Sequence, residues 1–142
     1  MILIWYHLPM KLLTRNTDYA SRTLMFICAQ KKEMFSVSEL VRQLQVPRPF
    51  LRKILQQLNK SGILESFKGN HGGFRLKKNP EKIFLVDLMR IFQGDVRLNE
   101  CIFKRKICPN KGSCVLRRKI CKIEDYVLSE LGSITVASLA KN

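Results

Sequence analysis

Four of the five cysteines fall in one short stretch, at Cys101, Cys108, Cys114 and Cys121, with six, five and six residues between them. Thiolates are soft ligands that suit zinc and iron–sulfur centres, and free thiols carry redox chemistry. Zinc ribbons take their ligands from pairs two residues apart on tight knuckles, a spacing that is missing here. The wider intervals instead suit one loop wrapping a larger inorganic centre through Cys101, Cys108 and Cys114, with a fourth position left for a different residue. Unliganded thiols in a basic loop are the plain alternative. Lys104, Arg105, Lys106, Lys111, Arg117 and Arg118 surround the cysteines. A 4Fe-4S core held by four anionic ligands has a net charge of roughly −2 and gains from such cations, although the same residues serve equally to touch a polyanion. Cys28 reads as a small core residue, and Cys121, beside Ile120 in a helical stretch, is the reserve ligand.

The odd cysteine count and the absence of a basic leader argue for reduced thiols, hence a cytoplasmic protein and no disulfide framework. Met1 to Pro9 is apolar but too short to span a bilayer or serve as a secretory signal, and it reads as an unstructured extension. Twenty-six Lys and Arg against eleven Asp and Glu give a formal charge of +15, so the expected partner is a polyanion. The cations are interleaved with periodic apolar residues rather than gathered in a terminal tail, which favours nucleic acid over a membrane surface. Two histidines, few carboxylates and no nucleophile constellation leave little for enzymatic acid–base work or a small-molecule substrate.

The 142 residues, 46% hydrophobic, can bury one core with a small appended lobe. Asn16, Thr17 and Asp18 are candidate caps for a first helix bearing Ala20, Leu24, Ile27 and Cys28 on one face. Ser36 or Ser38 can cap a second helix, with Val37, Leu40, Val41 and Leu44 as its stripe. Gln45, Val46 and Pro47 interrupt it. Pro49 suits the first turn of a third helix, whose inward face is Leu51, Ile54, Leu55 and Leu58 and which ends at Ser61 and Gly62. Ile63 to Lys68 and Phe74 to Leu76 read as strands joined by a loop with Gly69, Gly72 and Gly73. A fourth helix is predicted over Ile83 to Phe92, then a loop over Asp95 to Ser113. From Val115 a long helix carries a narrow seam of Leu116, Ile120, Ile123, Val127 and Leu131, which calls for a second copy of itself.

The expected fold class is therefore mainly α with a small β wing: a winged helix-turn-helix plus a long C-terminal dimerisation helix. The expected divisions are an extension at 1–9, a DNA-binding domain at 10–94, a cysteine loop at 95–114, and a dimerisation helix with a tail at 115–142. The third helix and the wing supply the candidate duplex-binding set. Arg48 and Arg52 are the preferred base readers, with Pro49, Phe50 and Gln56 beside them. Lys53, Lys60, Lys68 and Arg75 are placed as phosphate contacts, and Asn70 and His71 sit at the wing tip. A solvated basic face is the bland reading. A binder of RNA or single strands would need exposed stacking platforms, for which Phe50, Phe67, Phe74 and Phe103 are scattered candidates.

With these residues in place, the chain resembles the Rrf-type winged-helix regulators, the family containing the iron–sulfur regulator IscR and the nitric oxide sensor NsrR. The likeness runs from Met10 to the C-terminus. It is carried by Thr17-Asp18-Tyr19-Ala20, the Pro47 to Leu58 recognition segment, Ser61-Gly62-Ile63-Leu64, the wing Lys68-Gly69-Asn70-His71-Gly72-Gly73-Phe74, and the three-cysteine loop. The resemblance implies a homodimeric repressor on a roughly palindromic operator, with a 2Fe-2S or 4Fe-4S cluster on Cys101, Cys108 and Cys114 that senses redox, nitric oxide or iron–sulfur status. In one branch the fourth ligand is a histidine three residues after the last cysteine, where Arg117 stands here. In the other it is a carboxylate near the start of the first helix of the partner subunit, a position Asp18 matches. Asp18 serves equally as a helix cap. The same DNA-binding fold with a zinc or thiol-redox switch is the alternative.

Overall fold

The computed structural model describes residues 11–98 and 112–141. Residues 1–9 and most of the predicted cysteine loop, with Cys101 and Cys108, lie outside the described residues. Helix α1 spans Arg15–Ala29 and buries Ala20, Leu24 and Ile27, as the periodicity predicts. Its cap is Thr14, whose hydroxyl accepts from the Thr17 amide, so the helix starts before all three predicted caps. Asp18 therefore sits inside the first turn, where it meets the unpaired amide end favourably without capping it.

Helix α2 covers Val37–Leu44 and is capped by Ser36, whose hydroxyl accepts from the Glu39 amide at 3.2 Å. It stops because Gln45 turns left-handed at φ 53°. Pro47 leads into α3, Arg48–Lys60, and Pro49 sits within its first turn, where its missing N–H is not needed. Leu51, Ile54, Leu55 and Leu58 of α3 join Leu40 and the apolar face of α1 in one core.

Strands β1, Leu64–Phe67, and β2, Gly73–Leu76, pair antiparallel from Leu64 opposite Leu76 to Phe67 opposite Gly73. An isolated bridge between Phe35 and Phe74, unanticipated from the sequence, ties this wing to the segment ahead of α2. Phe35 is fully buried and meets Phe26 edge-on at 6.1 Å between ring centres. Two close backbone approaches, one at this bridge and one within the hairpin, explain two glycines. A Cβ on Gly73 would strike the Phe35 carbonyl, and one on Gly72 the Phe67 carbonyl.

A 3₁₀ turn, Pro80–Lys82, precedes α4, Leu85–Gln93, which ends at Gly94 with φ 82°. Helix α5 spans Val115–Ser133 and starts at Cys114. The expected C-terminal tail is instead a short helix α6, Val136–Ala140, that returns to pack on α1. Thr135 and Ser138 close a reciprocal capping box, and Val136 is 1% exposed within the main core. The Val136 amide donates to Ile83 and the Leu85 amide to Ile134, both at 2.9 Å, so the C-terminus is stitched to the entrance of α4. The layout is a winged helix-turn-helix with α5 as its long outer helix, and among the described residues no helix is long and apolar enough to cross a membrane.

Candidate functional site

The α2–turn–α3 unit fixes one row of side chains outward because the opposite row is locked in the core. With Leu51, Ile54, Leu55 and Leu58 buried, Arg48, Arg52, Lys53, Gln56 and Lys60 are exposed on the other side of α3. The first turn of α3 has no acidic residue and begins with a cation at Arg48. Cations at the positive end of a helix oppose its macrodipole, so this arrangement gains when an anion arrives. Arg48 also donates from Nη2 to the Ser38 hydroxyl, bridging the starts of α3 and α2. Phe50 is 45% exposed beside this row. It flanks a groove of about 320 Å³ with Asn16, Lys53, Ile54, Gln57, Ile91 and Phe92, between the recognition helix and α4.

In the wing, Lys68, Asn70 and His71 are exposed on the loop between the strands. Arg75, expected as a phosphate contact, is already engaged: its Nη2 meets Glu65 Oε2 at 2.9 Å across the hairpin, and its guanidinium lies 4.9 Å from the centre of the Phe67 ring. Phe67 thus gives one face to a cation of its own chain, and Phe74 is half-buried in the strand pair. With Phe50 turned toward the groove, the described aromatics do not assemble the stacking row that a single-strand binder needs.

Sequence reading missed the role of Gln93, the last residue of α4. Its Oε1 accepts from the Thr14 amide at 3.0 Å and the Thr17 hydroxyl at 2.7 Å, while its Nε2 donates to the Leu12 carbonyl at 2.9 Å. The start of α1 is thereby clamped to the point where the chain leaves for the cysteine loop. Asp18 lies just beyond this clamp and accepts from Arg22 Nε at 2.8 Å, with its own side chain 42% exposed. A glutamine seventy-five residues from Asp18 carries no local signal in sequence.

Of the three expected cysteine ligands, Cys114 alone is among the described residues. It is the cap of α5, and its sulfur accepts from the Arg117 amide at 3.4 Å. Amides at a helix start favour negative charge on a ligating sulfur. Cys114 and Cys121 line one recess of about 290 Å³ with Gly112, Arg117, Arg118, Lys122 and Asp125. Among the described residues no three His, Cys, Asp or Glu side chains gather tightly enough to hold a metal ion. The other root of the loop is held as well, because the Leu98 amide donates to Glu124 Oε2 of α5 at 2.9 Å. Cys28 is set apart, half-buried against the core, and loss of solvation pushes its thiol up to about 11.

The α5 seam divides. Leu131 is buried and Val127 packs beside it against Leu85, Val86 and Met89, all within one subunit. Leu116 and Ile123 remain 68% and 52% exposed, flanked by Val115 and Tyr126. The part of the helix nearest Cys114 therefore carries an uncovered apolar face.

Comparison with known proteins agrees with this arrangement. Residues 13–142 match the family model Rrf2, described as an iron-dependent transcriptional regulator. The chain is 32% identical to protein aau3 of Rhizobium meliloti, over 91% of this chain and 84% of that one. It is 28% identical to the HTH-type transcriptional regulator NsrR of Bacillus subtilis, over 92% and 90% respectively. Among solved structures it is similar to CymR (YrzC), the global cysteine regulator of B. subtilis, with a TM-score of 0.76 at 21% identity, covering 93% of this chain and 98% of the other.

Proposed function

The chain belongs to the Rrf2 family of DNA-binding transcriptional regulators, and from that premise we propose that it is a cytoplasmic homodimeric repressor whose grip on an operator is set by an iron–sulfur cluster. The observation that carries the DNA-binding half is the acid-free, cation-started face of α3 held beside a basic wing. Arg48 and Arg52 read base edges in the major groove, with Gln56 beside them. Pro49 fixes the helix entry. Lys53, Lys60 and Lys68 neutralise phosphates, and Asn70 and His71 follow the backbone at the wing tip. Arg75 contributes by bracing the hairpin through Glu65 and Phe67 before it offers charge to DNA.

The donor set suits the cluster. Cys114 offers an amide-capped sulfur in a recess where Arg117, Arg118 and Lys122 outnumber Asp125, and net positive surroundings favour an anionic centre. Cys101, Cys108 and Cys114 are the proposed ligands, and the family likeness offers Asp18 of the partner subunit as a fourth. When bound, a 2Fe-2S or 4Fe-4S group supplies a centre that reacts with oxidants or nitric oxide. The protein's part is transmission. Glu124 and the Cys114 cap fasten both roots of the cysteine loop to α5, and Gln93 fastens the exit of α4 to the start of α1. A rearranged loop therefore shifts α1 against α3, and two recognition helices change their spacing along the duplex.

Anaerobic purification followed by iron, sulfide and DNA-binding measurement tests this reading. Brown protein with acid-labile sulfide, whose affinity for a palindromic duplex changes when the colour is bleached, supports it. Colourless protein with one zinc per chain replaces the cluster with a zinc switch. Equal affinity for duplex and single strands overturns the DNA-binding mode.

A further inference from the structure

We propose that lysines at the foot of the wing, Lys77, Lys78 and Lys82 together with Lys60, form a second phosphate-binding ridge that grips duplex DNA beyond the bases read by α3. The ridge presupposes the DNA-binding reading above, is independent of any metal centre, and extends the footprint into flanking sequence. The hairpin gathers these residues from two parts of the chain. The Lys77 and Lys78 amides both donate to the Ile63 carbonyl, at 2.9 and 3.3 Å, which sets them beside the end of α3 where Lys60 stands. Asn79 then caps the 3₁₀ turn, accepting from the Glu81 amide with its side chain and from the Lys82 amide with its carbonyl, and so holds Lys82 one turn further on. All four lysines are exposed, and among the described residues none of them is in an ion pair. The hairpin's one carboxylate, Glu65, is taken by Arg75. Glu81 is the one carboxylate between Lys77 and Lys82, so the stretch keeps a net positive charge.

The composition of the patch selects its partner. Four ammonium groups with no exposed large apolar side chain among them suit phosphates, which Lys meets as a point charge without reading sequence. A protein-binding surface draws instead on aromatic, Met and Arg side chains and is depleted in Lys. The position agrees. The 13 residues of α3 span about 20 Å, more than the roughly 12 Å width of a major groove. With Arg48 and Arg52 at base edges, the Lys60 end of the helix therefore emerges over the flanking backbone, and Lys77 and Lys78 continue that line from the foot of the wing.

The test uses the full-length chain and a palindromic duplex selected from a randomised pool, either alone or extended on each side by one helical turn of arbitrary sequence, about 10 bp. The wild type should bind the extended duplex at least about fivefold more tightly at low salt, with a steeper dependence on salt. Lys77→Gln/Lys78→Gln should remove most of that gain, flatten the slope by about two per subunit, and erase hydroxyl-radical protection of the flanking sugars. Its preference for the selected core over a scrambled one should stay intact. Lys11→Gln/Lys31→Gln, which removes the same charge from exposed sites elsewhere, should keep the flanking protection. All three proteins should share one urea midpoint, because every substituted side chain is exposed. Flanking protection and salt slope that persist in Lys77→Gln/Lys78→Gln, or that fall equally in the control pair, would overturn this inference while sparing DNA binding through α3. So would an unchanged footprint together with binding of poly-glutamate by the wild type but not by Lys77→Gln/Lys78→Gln, which would assign the ridge to an acidic polypeptide. A wild type that prefers no duplex overturns both.

Discussion

Arg52 and Lys68 are both exposed cations, yet the scaffold gives them different work. Arg52 stands on the outward face of α3, whereas Lys68 lies on the wing loop, so the proposed binding mode sets the first at base edges and the second at the phosphate backbone. Arg52→Ala should cost about 1–3 kcal/mol on the cognate site and blur the preference at one base pair. Lys68→Ala should weaken every duplex alike and lower the slope of log K against log salt by about one. Anisotropy titrations on cognate and scrambled duplexes at several salt concentrations separate the two. Cys28 behaves differently from the cysteines on α5. Its thiol, raised by burial from 9.0 to about 11, stays protonated at neutral pH and should alkylate slowly beside exposed Cys121. The sign for stability follows. The unfolded thiol ionises first as pH rises, so the folded state loses stability between about pH 9 and pH 11 and is unaffected below that window. The difference in Tm between wild type and Cys28→Ala should stay constant up to about pH 9 and then shift against the wild type toward about pH 11.

Among the elements, the helix-turn-helix was the most legible because its apolar spacing and its punctuation agree. Leu51, Ile54, Leu55 and Leu58 recur at helical intervals, and Pro47 and Gly62 bound the segment. What the local pattern hides is the backbone of the turn. Gln45 adopts φ 53° without being a glycine, a conformation that costs an ordinary residue about 1 kcal/mol. Gln45→Gly should therefore leave the midpoint of urea unfolding unchanged or raise it by up to about 1 kcal/mol in stability, whereas Gln45→Pro, whose ring forbids that φ, should unfold the domain. Helix α6 was invisible to a search for periodicity because five residues are too few to show a face. The Thr135 and Ser138 pair, three residues apart, was its one local sign. The start of α1 was placed late for a related reason. Asn16, Thr17 and Asp18 are all good caps, and the choice of Thr14 is fixed by Gln93, which takes the Thr14 amide and the Thr17 hydroxyl from another helix.

The whole molecule turns on α5, which is anchored at one end and bare at the other. Val127 and Leu131 belong to the subunit's own core, so the five-residue seam is not a single dimer surface. Leu116 and Ile123 are the part left exposed, and the proposed dimer would cover them. The double change Leu116→Asp and Ile123→Asp should yield a folded monomer by sedimentation, and operator affinity should fall by at least about a hundredfold, because the second recognition helix no longer binds at high effective concentration. Unchanged sedimentation would remove α5 from the interface.

The sequence alone determined the class of fold, the outward row on α3, the hairpin and the helix that begins at Cys114, because each depends on short-range spacing that a helix or strand turns directly into a face. Tertiary structure alone decided where α1 begins, that the C-terminus returns to the core, that Phe35 pins the wing, that Arg75 is already paired and that Gln93 joins two helices. Those outcomes depend on hydrogen bonds and packing between residues far apart in the chain, and no local pattern records which distant group will arrive to satisfy a given amide or cover a given side chain.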